Sequence, residues 1–258
     1  MSEIRVPIDP LNPGQFFACC GLFEMLPKGQ AQALARFEVS ESAPRKGHFV
    51  VENAGGELGS LLTVLREAQS EGVQLDGDVE GAEGAVQPVR VWTAQEQWLL
   101  NWWLDEFQDK TVPWMKCWAG QVRSAGLVSE LLSLLEPSTP AVSLFTGATM
   151  SKAKFGIDPR SAWNALDFGF SPNAHNKDAA TYAAVEVLGC FGLQTFRPFL
   201  RASIVRYNLW TDGLPLRVAR LAAFRPWPGL RRFQYEFSVD KRGSYKYFGF
   251  ASFKGRED

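Results

Sequence analysis

Residues 4–26, IRVPIDPLNPGQFFACCGLFEML, contain the strongest fold signal in this chain. The first five of them alternate apolar and polar residues, which predicts a β-strand. Asn12 can cap a helix through its side-chain oxygen, Pro13 suits the first helical position, and Gln15 stands where a capping box places its return partner. Apolar residues then recur at helical spacing. The stretch therefore predicts a strand, a turn and a helix that is buried on one face.

The rest of the chain mixes strands and helices without a regular alternation. Period-two patterns predict two strands, at 33–39 and 48–52. Helical spacing and capping signals predict four further helices, at 58–70, 93–107, 121–135 and 178–192. The connections include a mobile loop near 72–88 and a long ordered loop near 149–176. We therefore expect an α+β fold, an antiparallel sheet with packed helices, in a single domain over residues 1–258 with no internal repeat.

The C-terminal segment changes to the period of a strand. Phe233, Tyr235 and Phe237 alternate with polar residues up to the sequence Asp-Lys-Arg-Gly at 240–243, and aromatic residues continue over 245–253. A short turn that ends in glycine between two aromatic strands is typical of a β-hairpin.

Charge is distributed unevenly along the 258 residues. The net charge is −1, but residues 196–258 contain thirteen Lys and Arg against five Asp and Glu, a balance of +8. Such an excess indicates an anionic partner for the C-terminal part. The same cations could equally pair with the acidic remainder of the chain.

Few residues suit catalysis or metal binding. The four cysteines are not at zinc-binding spacing, and the only histidines, His48 and His175, belong to no metal-binding motif. No signal peptide and no stretch of 18 apolar residues is present, so we expect a cytoplasmic protein without membrane contact, metal or cofactor. The sequence favours a non-enzyme. The alternative is a metal-independent endoribonuclease that uses His48, Tyr245 and Lys246.

Nucleic-acid binding fits the remaining pattern, in which cations alternate with aromatic residues. The candidate contacts form three groups: Lys116, Trp118 and Gln121; Lys152, Lys154 and Arg160; and Arg197, Arg201, Arg231, Arg232, Lys241, Arg242, Tyr245 and Lys246. Against this interpretation, the rings could simply face a core. A third possibility is a protein-interaction adaptor whose anchors are Trp98, Trp102, Trp103 and Trp118.

Four blocks of sequence resemble a small effector-complex protein of subtype I-U (also called I-G) CRISPR–Cas systems. The blocks are DPLNPGQFFACCGLFE at 9–24, WAGQ at 118–121, FGIDPRSAWNALDFGFS at 155–171 and VEVLGCFGLQTFRP at 185–198. The resemblance implies a non-catalytic subunit of a crRNA-guided antiviral surveillance complex (Cascade). Its implied partners are crRNA and/or target DNA and the other effector subunits, while a separate helicase–nuclease cleaves DNA. It also implies a ferredoxin-like (RAMP/RRM-type) core, which the strand–helix–strand–strand order of residues 4–70 suits.

Overall fold

A computed structural model provides the structure of this chain. It describes residues 3–26, 33–73, 87–104, 115, 117–118, 122–161, 178–198, 200–201, 204–225, 227–242 and 245–257. Within these ranges the chain forms five α-helices and thirteen strands, and all paired strands run antiparallel. The predicted α+β class and antiparallel sheet are confirmed.

The strands and helices of the described residues have the following bounds. The strands are β1 Glu3–Ile8, β2 Leu34–Val39, β3 Gly47–Glu52, β4 Gln69–Gly72, β5 Val89–Trp92, β6 Gln97–Leu100, β7 Thr149–Ser151, β8 Ala179–Thr181, β9 Leu200–Arg201, β10 Ile204–Trp210, β11 Arg232–Arg242, β12 Tyr245–Phe248 and β13 Ser252–Glu257. The α-helices are α1 Pro13–Met25, α2 Leu58–Arg66, α3 Ser124–Ser133, α4 Ala183–Thr195 and α5 Leu216–Ala222.

Two larger sheets form the framework of the protein. The N-terminal sheet has the strand order β1-β3-β2. The C-terminal sheet has the order β12-β11-β10-β9, and β13 pairs with an earlier stretch of β11. Smaller sheets join β4-β5-β6 and β7-β8. The two larger sheets meet at Ala35 of β2, whose carbonyl oxygen accepts a hydrogen bond from Trp210 Nε1 of β10 at 2.8 Å. Ala35 also exchanges backbone hydrogen bonds with Leu214 in the segment after β10, and one cluster of buried apolar side chains extends through both sheets.

Helix α1 begins as its sequence predicts. Asn12 Oδ1 accepts a hydrogen bond from Gln15 N at 3.2 Å, and Gln15 Oε1 accepts one from Asp9 N at 2.7 Å. These side-chain hydrogen bonds join the turn before α1 to the first turn of the helix. All residues of α1 are buried, not only those on one face. The helix is therefore a central element of the core, covered on every side.

Helices α1 and α4 cross at two glycines with matching surroundings. A Cβ on Gly21 would lie 1.8 Å from Leu188 O, and a Cβ on Gly192 would lie 1.9 Å from Phe17 O. Phe17 and Leu188 each stand four residues before the glycine of their own helix, so the crossing is close to two-fold symmetric. Backbones can approach this closely only without side chains at the crossing.

The helix predicted at 93–107 is wrong over its described part. Residues 97–100 form strand β6, which pairs with β5. Thr93 Oγ1 does accept the hydrogen bond from Glu96 N at 3.1 Å, but Thr93 N also donates to Glu96 O and closes a hairpin turn. A threonine followed by glutamate three residues later is compatible with a helix N-terminus and with a hairpin turn, because the same local hydrogen bond forms in both.

Other boundaries shift by a few residues. Helix α2 ends at Arg66, and residues 69–72 form β4, which begins inside the predicted helix. Helix α4 begins at Ala183 because the residues before it pair as β8. The C-terminal hairpin is confirmed as β11 and β12, although residues 249–251 separate β12 from β13. Most of the loop near 72–88, and residues 162–176 of the loop near 149–176, lie outside the described residues.

Candidate nucleic-acid interface

Three of the four sequence blocks meet in what we call the interior polar cluster: Asn12, Asp158, Arg160 and Glu186. Asn12 Nδ2 donates to Asp158 Oδ1 at 3.0 Å. The carboxylate of Glu186 accepts hydrogen bonds from the backbone N–H groups of Phe155 at 2.8 Å and Asp158 at 3.1 Å. Helix α1, the loop after β7 and helix α4 are thereby joined by buried polar contacts. The blocks thus form one packed unit rather than separate surface motifs.

Arg160 is held inside this cluster. Its NH2 group lies 2.6 Å from Asp158 Oδ2 and donates to Phe145 O at 2.8 Å, and its guanidinium stands 3.5 Å from the centre of the Tyr182 ring. Asp158 has no exposed surface. A buried carboxylate needs such a partner, because an uncompensated charge in the interior is strongly destabilising. The guanidinium of Arg160 is therefore mainly occupied by protein groups.

Glu186 is the most strongly perturbed acid of the cluster. Its side chain is buried, and burial together with the charge of Asp158 raises the pKa of Glu186 to about 7, although three backbone N–H groups act in the opposite direction. A carboxyl group with a pKa near neutrality could transfer protons, but this one has no exposed surface. Sequence motifs did not indicate this residue. The one sequence signal is its position six residues before Gly192, which matches the position of Gln15 before Gly21.

The tryptophans predicted as partner contacts mostly belong to the core. Trp102, Trp103 and Trp118 are buried, and the rings of Trp103 and Phe155 each lie 5.3 Å from that of Trp118. Trp118 Nε1 also donates to Val122 O. Trp98 is half-buried and packs edge-on against Phe191. Lys116 and Gln121, the two other candidates of this group, lie outside the described residues.

Several predicted cationic contacts are bound to protein groups. Lys154 Nζ donates to Ser161 O at 2.7 Å, and burial lowers the pKa of Lys154. Arg197 donates to Asn101 Oδ1, and the buried Arg232 donates to Arg225 O at 2.9 Å. These three side chains support the fold. Lys152, directly after β7, has an exposed side chain.

The remaining candidates lie on or beside the C-terminal sheet. Arg231 is 61% exposed and faces Asp212 at 3.3 Å. Lys241 is exposed and Lys246 half-buried, and these two residues are paired in the hairpin. The register places Arg242 opposite Tyr245 in the hairpin, and Arg201 opposite Ile204 at the other edge.

One side of this sheet, which we call the outer face, presents Ile204, Arg206, Glu236 and Lys254 to solvent. Arg206 Nε lies 2.8 Å from Glu236 Oε2, and Lys254 Nζ lies 3.3 Å from Glu236 Oε1. Two cations therefore share one carboxylate, and they hold the pKa of Glu236 below its usual value, mainly through the hydrogen bond from Arg206. Arg206 remains 69% exposed. Tyr235, by contrast, is buried and stacks on Tyr207 below the sheet.

His48 borders an open cleft on the N-terminal sheet. This space, the hairpin cleft, measures about 520 Å³ and is lined by residues of β1 and of the β2–β3 hairpin: Pro7, Ile8, Glu38, Val39, Ser40, Lys46, Gly47 and His48. Lys246 is not among the described residues that line it, and the side chain of Tyr245 lies outside the described part of the structure. The catalytic group of His48, Tyr245 and Lys246 stays a prediction.

Metal and membrane sites have no candidates within the part of the chain that the structure describes. No three His, Cys, Asp or Glu residues in that part are close enough to hold a metal ion. None of its helices combines the length and apolar character that crossing a bilayer requires.

Comparisons with protein-family models, with curated proteins and with solved structures find no match to this chain.

Proposed function

We propose that this protein is a non-catalytic subunit of a crRNA-guided CRISPR surveillance complex in the cytoplasm, where it binds crRNA or target DNA and neighbouring effector subunits. The observation that carries nucleic-acid binding is the outer face of the C-terminal sheet. There Arg206 and Lys254 are shared by a single carboxylate, so positive charge remains in excess at these contacts. Exposed cations on a sheet can neutralise phosphates without reading a base sequence.

The β11–β12 hairpin extends the outer face of the C-terminal sheet. Tyr247 stands opposite Asp240 in the register, and Asp240 lies on the same face of β11 as Glu236, four positions earlier. A half-exposed tyrosine near cations can stack on an unpaired base while the cations contact phosphates. The proposed path of a bound nucleic-acid strand therefore runs from Arg206 and Lys254 towards the β11–β12 hairpin.

The CRISPR assignment rests on the resemblance of the four sequence blocks, which the structure places as follows. Residues from three of the blocks supply Asn12, Asp158, Arg160 and Glu186 to one polar cluster, and Trp118 of the remaining block packs on Phe155 nearby. The resemblance thus concerns the residues that hold the fold together.

We also propose that the N-terminal half is a ferredoxin-like core. Strand β1, helix α1 and the β2–β3 hairpin follow in the ferredoxin-like order, with β3 between β1 and β2. After α2, strand β4 pairs with β5 in a separate sheet. Ferredoxin-like and RRM modules commonly use an open sheet face to bind RNA.

A salt-dependent titration tests the nucleic-acid proposal. Binding of labelled crRNA and of single-stranded target DNA is measured at several salt concentrations, for the protein alone and in the assembled complex. Replacing both Arg206 and Lys254 by Ala should reduce the slope of log affinity against log salt by about one for each phosphate that is no longer neutralised. Arg217→Ala, which removes an exposed arginine on α5, is the matched control. Unchanged slopes in both preparations would exclude this face.

The endoribonuclease alternative is tested with the same protein. Labelled repeat RNA is incubated in EDTA, and intact RNA is the expected result. Cleavage that disappears in His48→Ala would instead support the enzyme. The adaptor alternative predicts co-purification with neighbouring subunits that survives nuclease treatment and is unaffected by the Arg206 and Lys254 substitutions.

A further inference from the structure

Phe250 is an aromatic ring displayed at the surface by a well-anchored backbone. The residue is 49% exposed. On one side of it Gly249 N donates to Ser238 O at 2.9 Å, and on the other Ala251 N donates to Leu11 O at 2.7 Å. Both neighbours are therefore hydrogen-bonded to separate parts of the protein. A large apolar side chain that is exposed on such a fixed segment is pre-organised for contact with a ligand.

Arg45 connects this ring to the hairpin cleft. Its guanidinium lies 5.8 Å from the centre of the Phe250 ring, and its NH2 group is 3.2 Å from Asp9 Oδ2. The residues next to Arg45 and Asp9 in the chain, Lys46 and Ile8, line the cleft. Because Arg45 is still 63% exposed, its guanidinium can also contact a ligand that enters the cleft.

The cleft itself combines cationic and hydrogen-bonding groups. Lys46, His48, Ser40 and Glu38 are among the residues that line it. Glu38 is paired with both Arg5 and Arg36, and the hydrogen bond from Arg5 is the main reason that the pKa of Glu38 is lowered. Arg36 is also paired with Glu52, so two arginines face two carboxylates here and the negative charge of Glu38 is neutralised locally, which weakens its repulsion of a bound phosphate.

We infer that the hairpin cleft and Phe250 form a binding site for one unpaired nucleotide of a single strand. The base stacks on the exposed side of the Phe250 ring beside the Arg45 guanidinium. The phosphate lies against Lys46 and His48 in the cleft, and the sugar lies beside Ser40 and Glu38, which also line it. A paired base cannot use this site, because its faces are already stacked within the duplex.

The nucleotide site is separate from the outer face of the C-terminal sheet and is tested with different residues. Fluorescence anisotropy measures the binding of labelled hexauridylate, hexathymidylate and a blunt duplex of the same length. Phe250→Ala should weaken binding of the single strands by about 5- to 150-fold, the range found when a base-stacking ring is removed. Phe250→Tyr keeps a stacking ring and should restore most of the affinity. The duplex should bind at least several-fold more weakly than either single strand.

Matched variants separate stacking from general charge. Arg45→Ala should weaken binding of the hexanucleotides, whereas Arg217→Ala, at another exposed arginine, should change it less than about twofold. Thermal melting confirms that each variant folds, which is expected because these side chains are largely exposed. Equal affinities of the natural protein and Phe250→Ala, or equal weakening in Arg45→Ala and Arg217→Ala, would overturn the inference.

The nucleotide site and the proposed function can fail separately. Replacement of Arg206 and Lys254 should change the salt dependence for long strands and leave the effect of Phe250→Ala on hexanucleotides in place. If long strands do not respond to Arg206 and Lys254 but hexanucleotides respond to Phe250, the outer face is wrong and the nucleotide site stands. The opposite pattern rejects the nucleotide site alone.

Discussion

The interior polar cluster and the outer face of the C-terminal sheet both contain arginine–carboxylate pairs, in opposite surroundings. Asp158 is completely buried and Arg160 lies 2.6 Å from it, whereas Arg206 is 69% exposed beside Glu236. Inside, Asn12 also donates to Asp158, but Arg160 is the cation that compensates the charge of this buried carboxylate, so separating the pair is costly. Outside, water competes with the pair at little cost, so Arg206 can exchange Glu236 for a phosphate. The burial of the carboxylate thus decides whether an arginine supports the fold or is available to a ligand.

The largest contrast should appear when the two kinds of arginine are removed. Arg160→Ala leaves Asp158 buried without its cation and should lower the free energy of unfolding by about 3–5 kcal/mol. Arg231→Ala removes an arginine that is 61% exposed beside Asp212 and should change it by less than about 1 kcal/mol. Urea unfolding of both variants measures the difference. Similar changes in the two variants would contradict the comparison.

A second contrast concerns the pH dependence that Glu186 contributes. Its folded pKa of about 7 lies above its ordinary value of 4.5, so between these two pH values the folded state binds more protons than the unfolded state. Stability should therefore fall as pH rises from about 4.5 to 7, by on the order of 3 kcal/mol. Glu186→Gln should remove this decline.

Urea unfolding at several pH values between about 5 and 8 measures the effect of Glu186. The useful quantity is the slope of stability against pH in the natural protein minus that in Glu186→Gln. A natural protein that gains stability relative to the variant as pH rises would show that Glu186 is charged in the fold at low pH as well.

Glu236 should contribute a pH dependence of stability that is opposite in sign to that of Glu186 and smaller. Its pKa is lowered by the hydrogen bond from Arg206 and by Lys254, so its contribution is present above its ordinary pKa of 4.5. That contribution is lost as pH falls through the lower folded value. Glu236→Gln should therefore reduce the loss of stability below about pH 4.5, by less than about 1 kcal/mol. Acid unfolding curves that coincide for the two proteins would show that the ion pairs add nothing.

The smallest expected effect is the coupling between Arg206 and Glu236. A double-mutant cycle with both residues replaced by Ala should give about 0.2–1 kcal/mol, as for other exposed pairs, and high salt should reduce it further. A coupling above about 2 kcal/mol would mean that the outer face is held as firmly as the interior and is not open to phosphate.

Local sequence signals predicted elements whose hydrogen bonds are local. The start of α1 followed from Asn12, Pro13 and Gln15 because capping bonds join residues a few positions apart. The C-terminal hairpin followed from alternation. The same locality explains the error at Thr93, whose bond to Glu96 N fits a hairpin turn as well as a helix.

The uses of the charged residues could not be predicted in this way. Arg160 and Arg206 are both arginines near aromatic residues, and only the burial of Asp158 and the exposure of Arg206 beside Glu236 distinguish them. Those properties depend on contacts between distant segments, such as that of Asn12 with Asp158, 146 positions apart. The exposure of Phe250 could likewise not be predicted from the sequence, because it depends on hydrogen bonds from its neighbours to Ser238 and Leu11.

The crossing of α1 and α4 also has a consequence for how the chain is made. Helix α1 is buried on all sides, yet the backbone that covers Gly21 belongs to a helix that begins about 160 residues after α1 ends. At a synthesis rate of about 5–20 residues per second, roughly 10–30 s pass between the synthesis of α1 and the synthesis of α4. During this time its apolar surface is open to wrong partners. A fragment that ends before α4 leaves this apolar surface of α1 uncovered, and it should aggregate rather than fold.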